Sequence, residues 1–502
     1  MATVDLVVRG GTVFDGTGAP GVVADVAVAA DRIVAVGAVA EEGRVEIDAR
    51  GMAVSPGFID VHSHDDFAVL LDPAMAFKVM QGVTTDVVGN CGSGVVPYEA
   101  AVRRFSRIHP GASPPAWTGF GQYLERVEEA GPSLNIAVLM GHGSLRAGAM
   151  GLAQRPPTAG EMDQMRAWVR EGVEAGAVGL STGLIYEPGR YARTEEISEL
   201  ARGMGAGSGL YATHMRDEAG ALLDAVREAI RIGEEGGVPV QISHHKASGQ
   251  ANWGKVRDSL RLIEDARRRG VDVHADQYPY TAGSTSLYAV VQNGAFRTDS
   301  PGGVGTLSGD DVLIASAPKH PAWEGRRLGQ LGAEWQLGTE EAATRVIREE
   351  GEACFVVIFS MDEADVRTVL AHPTTMIGSD GVPASGSKPH PRLYGCFPRI
   401  LGHYVRDERL IDLPTAIHKM TGMPAAKFRL AGRGAVRPGA FADLVVFDPA
   451  TIADVATYDD PCRFPAGIRA VVVNGAAVAR DGQHTGARPG RALRRAGPGD
   501  LG

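Results

Sequence analysis

Two histidines one residue apart, His62 and His64, are the residues whose spacing most directly suggests metal chemistry. They follow an apolar run, 52–61, that predicts a buried strand. Because side chains at positions i and i+2 of a strand point to the same side, both imidazole rings can face one point just beyond the strand's end. Neutral nitrogen ligands in this arrangement suit a transition metal, although two polar loop histidines would show the same spacing.

Other predicted strands also end in side chains that can bind a metal or carry a proton. In a βα barrel the active site lies at the C-terminal ends of the strands. One histidine or cysteine at such a place is a weak signal, but five strand ends that carry His, Cys or Asp together predict a catalytic metal site. After the later strands come Cys91, His214, the adjacent His244 and His245 with Lys246, and Asp380.

The elements that must position these residues alternate between apolar runs and helical patterns. Helical periodicity covers 161–175, 219–235 and 255–269. Strand–helix alternation predicts βα units around a parallel sheet, and eight strands are the number that a closed barrel needs. The eight strand candidates are 52–61, 84–88, 135–140, 177–181, 210–213, 240–243, 271–275 and 376–379.

Both ends of the chain carry short valine-rich strands and tight turns instead. They predict one small β domain built from both termini, with bounds 1–54 and 430–502. The barrel would then occupy 55–429, with an insertion of little clear periodicity at about 287–345 over its mouth. The terminal strand candidates are 5–9, 11–14, 23–30, 32–36, 442–447, 468–473 and 476–479.

Composition narrows the classes of partner. The 502 residues are 44% hydrophobic and 22% charged, with a net charge of −10. This balance argues against a nucleic-acid partner and offers no basic patch for a membrane. No apolar run is long enough to span a bilayer, and the first residues lack the pattern of a secretion signal. Four scattered cysteines predict no disulfide framework and favour a cytoplasmic location.

Ten short stretches, in order over almost the whole chain, match one family pattern. They are 56–66 (PGFIDVHSHDD), 82–92 (GVTTDVVGNCG), 141–146 (GHGSLR), 179–189 (GLSTGLIYEPG), 213–218 (THMRDE), 242–249 (ISHHKASG), 276–284 (DQYPYTAGS), 378–381 (GSDG), 390–399 (HPRLYGCFPR) and 442–448 (ADLVVFD). The chain resembles the amidohydrolase superfamily and, within it, the D-aminoacylases, which are N-acyl-D-amino acid deacylases. The first and last stretches are typical of the superfamily, whereas NCG and HPRLYGCFPR are narrower and favour the deacylase branch. The resemblance implies an α/β fold: a distorted (β/α)8 TIM-like barrel with a small β-sandwich domain formed by the N- and C-terminal segments.

The resemblance also implies a tight zinc site formed by Cys91, His214 and His244. Thiolate and imidazole are ligands that zinc prefers, and three protein ligands leave a position open for water. Family spacing favours His244, but strand alternation alone leaves His245 open as the ligand.

A second, weaker metal is expected at His62 and His64, unless these residues only line the pocket. In binuclear relatives a carboxylated lysine bridges the metals, but no lysine follows 179–181 here. The Cys91 thiolate is therefore expected to bridge. Glu187 is an additional candidate ligand, with a surface ion pair as its alternative role.

Asp380 is expected to be the general base and acid. It would take a proton from water activated by the metal and return it to the leaving nitrogen. An aspartate before Gly381 is also a common turn residue, so position rather than residue type carries this prediction.

The substrate's α-carboxylate needs cations and hydroxyl groups. Lys246, Tyr278, Ser284 and Arg392 match the family positions for this role, and arginine suits it through bidentate hydrogen bonding. The two cations would otherwise be surface groups. His142 would either touch the substrate or make structural hydrogen bonds.

The predicted function is zinc-dependent hydrolysis of the amide bond of N-acyl-D-amino acids to a D-amino acid and a carboxylate. One alternative is a cyclic amide hydrolase of hydantoinase or dihydroorotase type, which usually relies on the missing lysine. Another is a non-catalytic scaffold, although such relatives have lost ligands that are present here. The sequence leaves open the oligomeric state, the acyl group and the amino acid side chain; Arg297 would either pair with an acidic side chain or be a solvated loop residue.

Overall fold

A parallel sheet of eight strands forms the centre of the fold. The computed structural model describes residues 3–109, 111–205, 207–298, 302–383 and 388–495. Each strand of this sheet pairs with its neighbours in chain order, and nearly every strand residue is buried, as expected of a barrel covered by helices. The predicted α/β barrel is confirmed. Its strands are Phe58–Asp60, Val83–Val88, Asn135–Gly141, Gly179–Gly183, Leu210–His214, Val240–Ile242, Val273–Gln277 and Thr375–Ile377.

The barrel is closed between its first and last strands by the residues that follow them. One isolated parallel bridge joins Ser63 to Gly381. The amide of Asp380 donates to the carbonyl of His62 at 2.7 Å, and the amide of His64 donates to the carbonyl of Gly381 at 3.1 Å. Three of the candidate site residues, His62, His64 and Asp380, therefore lie on this seam.

The apolar run 52–61, predicted as one strand, forms two. Ala53–Pro56 pairs with Leu444–Phe447 in the second sheet, and only Phe58–Asp60 belongs to the barrel. The strand is interrupted at Gly57, where a Cβ atom would lie 2.0 Å from Thr84 Oγ1. One uninterrupted hydrophobic run thus serves two sheets, which periodicity could not reveal.

Helices surround the barrel, and the three predicted helical segments are confirmed with shifts of a few residues. Ala159–Ala175 begins at a capping box in which the Thr158 hydroxyl accepts from the Glu161 amide. None of the described helices is long and apolar enough to cross a membrane. The helices outside the insertion are Ala68–Leu71, Ala76–Val79, Tyr98–Ile108, Phe120–Ala130, His142–Met150, Ala159–Ala175, Thr194–Gly203, Leu222–Gly236, Val256–Arg268, Glu363–Ala371, Arg392–Arg399, the π-helix Ile400–Asp407, Leu413–Met420 and Gly422–Lys427.

The second sheet is built from both ends of the chain, as predicted. Nine strands pair in one continuous hydrogen-bonded pattern. Apolar side chains from both termini, such as Val26, Val54 and Val472, share one core. The strands are Thr3–Val13, Val22–Ala29, Arg32–Gly37, Glu42–Asp48, Ala53–Pro56, Leu444–Phe447, Ile468–Val473, Ala476–Arg480 and Gln483–His484.

The predicted insertion is more ordered than its sequence pattern indicated. A three-stranded antiparallel sheet of Gly283–Ser286, Phe355–Ile358 and Val312–Ser316 packs with helices around a separate apolar core. Gly283–Ser286 and Phe355–Ile358 lie outside 287–345, whereas Val312–Ser316 lies inside it, where the sequence shows little clear periodicity. The other elements here are the helices Leu287–Val290, Leu328–Trp335 and Thr339–Glu350 and the short hairpin Val291–Gln292 and Ala295–Phe296.

Candidate metal centre and active site

Cys91 lies at the centre of the candidate site. It follows the second barrel strand and is buried. Its Sγ atom lies 3.3 Å from His62 Nε2, 3.6 Å from His244 Nε2 and 3.8 Å from His214 Nδ1. Three separate strand ends therefore direct an imidazole at one sulfur atom.

Two groups of possible metal ligands share this cysteine. One consists of Cys91, His214 and His244, and the other of His62, His64, Cys91 and Asp380; within each, the ligand atoms lie within 4.8 Å of one another. A tetrahedral zinc with ordinary bond lengths separates its sulfur and nitrogen ligands by ~3.5 Å. The S···N distances of 3.6 and 3.8 Å in the first group fit a zinc ion.

The backbone at three of these positions has an unusual conformation. Cys91, His244 and Asp380 have φ angles of 52°, 35° and 50°, in the left-handed region that non-glycine residues rarely occupy. Such conformations cost energy and are concentrated at functional sites. Each turns a side chain inward directly after a barrel strand, which simple strand alternation does not predict.

The charge environment prepares Cys91 to bind a metal. Burial raises the pKa of the thiol, but the positive charge of His62 and hydrogen bonds from His214 and His244 outweigh it and hold the pKa well below its ordinary value. Burial lowers the pKa of His214, which favours the neutral imidazole. A thiolate and a neutral imidazole are the forms that ligate zinc.

Two carboxylates orient His62 and His244 through the ring nitrogen that does not face Cys91. Asp276 Oδ1 lies 3.2 Å from His62 Nδ1, and Glu218 Oε1 lies 2.9 Å from His244 Nδ1. Lys246 Nζ is also 2.8 Å from His244 Nδ1, but coordination through Nε2 requires the proton on Nδ1, so Glu218 is the acceptor. Sequence reasoning missed both carboxylates, although Glu218 follows His214 by four residues inside a matched stretch.

Asp380 lies against the centre and also contacts a buried arginine. Its Oδ1 atom is 3.1 Å from His64 Nε2 and 3.4 Å from His62 Nε2, and Oδ2 is 2.9 Å from Arg392 Nη2. Burial raises the pKa of this carboxyl, but the charges of Arg392 and His62 outweigh it and hold the pKa well below its ordinary value. The carboxylate form can accept a proton.

A cavity of about 690 Å³ opens beside the centre. His64, Cys91 and Asp380 form part of its wall. The insertion and its sheet supply the opposite side, including Ser284 and Arg297. Arg297 Nη1 donates to the carbonyl of Ile185 at 3.3 Å, while its buried Nε has no hydrogen-bond partner within the described ranges.

Arg392 is a buried cation with spare hydrogen-bonding capacity. It is 1% exposed, and its Nε and Nη1 atoms have no partner in the part of the chain that the structure describes. Its guanidinium carbon lies 4.4 Å from the centre of the Tyr278 ring, and Nη2 donates to the carbonyl of Ser284 at 3.3 Å. Unpaired buried donors are costly, so they favour an anionic ligand here.

The cation predicted beside it, Lys246, is already paired. Its Nζ donates to Glu218 Oε1 at 2.6 Å. This ion pair holds the carboxylate that orients His244. The geometry therefore favours an indirect role for Lys246.

Three predicted candidates lie outside both ligand groups. His245 is buried on the other side of its strand end, with Nε2 2.8 Å from Ser259 Oγ, so the geometry favours His244. Glu187 lines the cavity and accepts from Tyr191 Oη at 2.5 Å. His142 Nε2 lies 2.9 Å from Glu196, and its contacts are those of a buried structural residue.

Comparisons with known proteins find relatives over almost the whole chain. The amidohydrolase family matches residues 45–479. A D-aminoacylase of Alcaligenes xylosoxydans xylosoxydans is 43% identical over 494 residues, 98% of this chain and 98% of its own. An N-acyl-D-glutamate deacylase of the same organism is 40% identical over 98% of this chain and 96% of its own. The crystal structure of N-acyl-D-glutamate deacylase from Bordetella bronchiseptica, complexed with zinc and a phosphonate inhibitor that mimics the tetrahedral intermediate, is 39% identical with a TM-score of 0.88 and covers 98% of this chain and 100% of its own. The chain therefore belongs to the amidohydrolase family, and its predicted resemblance to the D-aminoacylases within that family is confirmed.

Proposed function

We propose that this protein is a zinc-dependent hydrolase of N-acyl-D-amino acids, which releases a D-amino acid and a carboxylate. Relatives of nearly equal length are a D-aminoacylase and an N-acyl-D-glutamate deacylase. The observation that carries the proposal is a cysteine-centred ligand group beside Asp380, which lines the cavity and is paired with Arg392.

Cys91, His214 and His244 would hold the tighter zinc, and His62 and His64 a weaker second metal that shares Cys91. The soft donor set and the S···N distances of 3.6 and 3.8 Å support the first site. When bound, zinc is a Lewis acid that makes water acidic near neutral pH and polarises a carbonyl group.

Asp380 would move the proton of the reaction. Its Oδ1 atom faces His64 at the metal centre and would take a proton from the attacking water. The same oxygen would then give that proton to the leaving nitrogen.

Arg392 would bind the α-carboxylate of the substrate, with Tyr278 and Ser284 beside it. Its two unpartnered nitrogens within the described residues support this role. Lys246 would act at one remove, through Glu218 and His244. His142, His245 and Glu187 carry no part in this scheme.

The alternative of a cyclic amide hydrolase has less support. The fourth barrel strand, Gly179–Gly183, contains no lysine, and none follows it up to Gly189, where a bridging carbamate would be expected. A non-catalytic scaffold is also disfavoured because the ligand groups, Asp380 and the open cavity are all present.

We also propose the division of the chain into a β-sandwich, 1–54 with 430–502, and a barrel, 55–429. One apolar core that contains only residues of 1–54 and 430–502 supports it. The four cysteines, all described and all free, support a cytoplasmic location.

The function is tested by assaying the purified protein with N-acetyl and N-formyl D-amino acids and with a 5-substituted hydantoin. The expected result is turnover of the linear amides, loss of that turnover on chelation, and its return with zinc. Amidation of the substrate's α-carboxylate should abolish turnover. Turnover of the hydantoin alone would replace the proposal with the cyclic amide alternative.

A further inference from the structure

A lysine that belongs to neither ligand group lies directly behind the seam of the barrel. Lys78, in the short helix Ala76–Val79, is 0% exposed. Its Nζ donates to Asp60 Oδ2 at 2.5 Å and to Ser379 Oγ at 2.9 Å. Asp60 ends the first barrel strand, and Ser379 follows the last one. One side chain therefore connects the first and last barrel strands, which do not pair with each other in the sheet of the described residues.

Both partners of Lys78 are hydrogen-bonded to the backbone that carries the site. Asp60 Oδ1 accepts from the amide of His62 at 3.2 Å and from the amide of Ser379 at 2.8 Å. Ser379 Oγ accepts from the amide of Gly381 at 3.1 Å. These bonds fix the residues on either side of Asp380 and the backbone of His62. The 3.4 Å separation between His62 Nε2 and Asp380 Oδ1 depends on them.

The positive charge of Lys78 also offsets buried carboxyl groups around it. Carboxylate oxygens of Asp65 and Asp86 approach its Nζ at 3.2 and 3.8 Å, and both residues are fully buried. Desolvation and the neighbouring Asp65 and Asp60 raise the pKa of Asp86 well above its ordinary value, despite the opposing charge of Lys78. Lys78 is thus the cation that offsets the negative charge of this buried group of carboxyls.

We propose that Lys78 is a positioning residue for the reaction: through Asp60 and Ser379 it holds the first and last barrel strands together and so sets Asp380 against His62. This inference rests on the proposed function for its kinetic consequence. It goes further by assigning catalytic geometry to a residue that touches neither substrate nor metal. Misplacement of a reacting group by about 1 Å can cost about 10² in rate.

The test uses two variants that weaken, in different ways, the connection that Lys78 makes between Asp60 and Ser379. Lys78→Met with Asp60→Asn removes the cation without leaving an unpaired carboxylate beside Ser379. Ser379→Ala removes the hydrogen bond between Lys78 and Ser379 and leaves every buried charge in place. Both should lower kcat by about 10- to 100-fold with KM changed less than threefold, because the substrate contacts remain. The tight zinc should stay at one per chain.

A second buried lysine provides the matched control. Lys419 is 1% exposed and donates to the carbonyl of Thr375 at 2.9 Å, at the opposite end of the last barrel strand. Lys419→Met should lower the melting temperature but leave kcat within about twofold. Equal losses of kcat in Lys419→Met and the Lys78 variant would mean that only folding is affected and would overturn the inference, as would a double variant or Ser379→Ala with wild-type kcat.

A spectroscopic measurement separates this inference from the proposed function. Cobalt(II) replaces zinc, and its visible absorption depends on ligand geometry. The band that appears with the second equivalent, which His62 and His64 would bind, should change in the Lys78 and Ser379 variants and not in Lys419→Met. This outcome supports the positioning role of Lys78 even if the wild-type protein hydrolyses no N-acyl-D-amino acid. An unchanged second band contradicts that role.

Discussion

Cys91 is the residue on which both ligand groups depend. Its sulfur lies 3.3 to 3.8 Å from three imidazole nitrogens, and it occupies a left-handed backbone conformation that a sequence pattern does not reveal. A bridging thiolate needs no lysine on a neighbouring strand. In the function that we propose, the Cys91 thiolate takes the place of the carboxylated lysine that bridges the metals of binuclear relatives.

Replacing Cys91 by Ala should remove most of the tight zinc and abolish turnover, because two histidines alone make a poor zinc site. Zinc measured on the same sample as activity checks this expectation. Cys354→Ala is the matched control, since Cys354 is equally buried but lies in the core of the insertion. A Cys91→Ala protein with full zinc content and a normal rate would show that the metal lies elsewhere.

Asp380→Asn should lower kcat by about 10² to 10⁴ while zinc and substrate binding persist, because the amide keeps the size but cannot accept the proton. Steady-state kinetics with zinc analysis measure both effects. A loss of less than tenfold would mean that another group is the base.

Metal binding at the weaker site should depend on pH. Burial lowers the pKa of His64, but the hydrogen bond with Asp380 and the Cys91 thiolate outweigh it and raise the pKa to about 9. Below that pH the ring holds a proton that a metal must displace, so apparent affinity should rise by up to about tenfold per pH unit between pH 7 and 9 and then level off. Chelator-competition titrations check this, and a flat profile would count against His64 as a ligand.

At the scale of elements, the sequence predicts where the strands end better than it predicts which sheet each strand joins. Polar residues after apolar runs identified Cys91, His214 and Asp380, because barrel topology brings such ends together. The choice between His244 and His245 could not be made, since it depends on a left-handed backbone at His244. Lys78, Glu218 and Asp276 were missed because their roles come from contacts distant in sequence.

The insertion supplies the wall of the cavity that we expect to select the amino acid side chain. Arg297 lies in that wall with a buried, unpartnered Nε in the described structure, which favours an acidic side chain. Arg297→Leu should lower kcat/KM for N-acetyl-D-glutamate by about 10- to 100-fold, corresponding to about 1.4 to 2.8 kcal/mol lost with a charge-assisted contact. N-acetyl-D-leucine, assayed with the same protein, is the internal control. An equal loss on both substrates would assign Arg297 a structural role.

At the scale of the whole molecule, the two sheets form a connected structure. The run 53–60 contributes to both, and buried polar contacts join them: Asn474 Nδ2 donates to Asn135 Oδ1 at 2.8 Å, and Asn135 Nδ2 donates to Asp443 Oδ2 at 3.4 Å. The termini could be assigned to one β domain because their pattern differs from that of the middle. The point at which the chain passes between the sheets, at Gly57, is set by close packing against Thr84.

The handedness of the substrate tests the central claim most directly. In the function that we propose, three contacts would define the stereocentre: the metal centre at the acyl group, Arg392 at the α-carboxylate, and the cavity wall at the side chain. With the first two fixed, an L substrate drives its side chain against the barrel, a larger penalty than the ~1–3 kcal/mol of a missing methylene group. The measurement is kcat/KM for paired N-acetyl-D- and N-acetyl-L-amino acids on zinc-loaded protein. We expect the D form to be favoured by more than about 10²-fold, and equal values for the two forms would contradict the account.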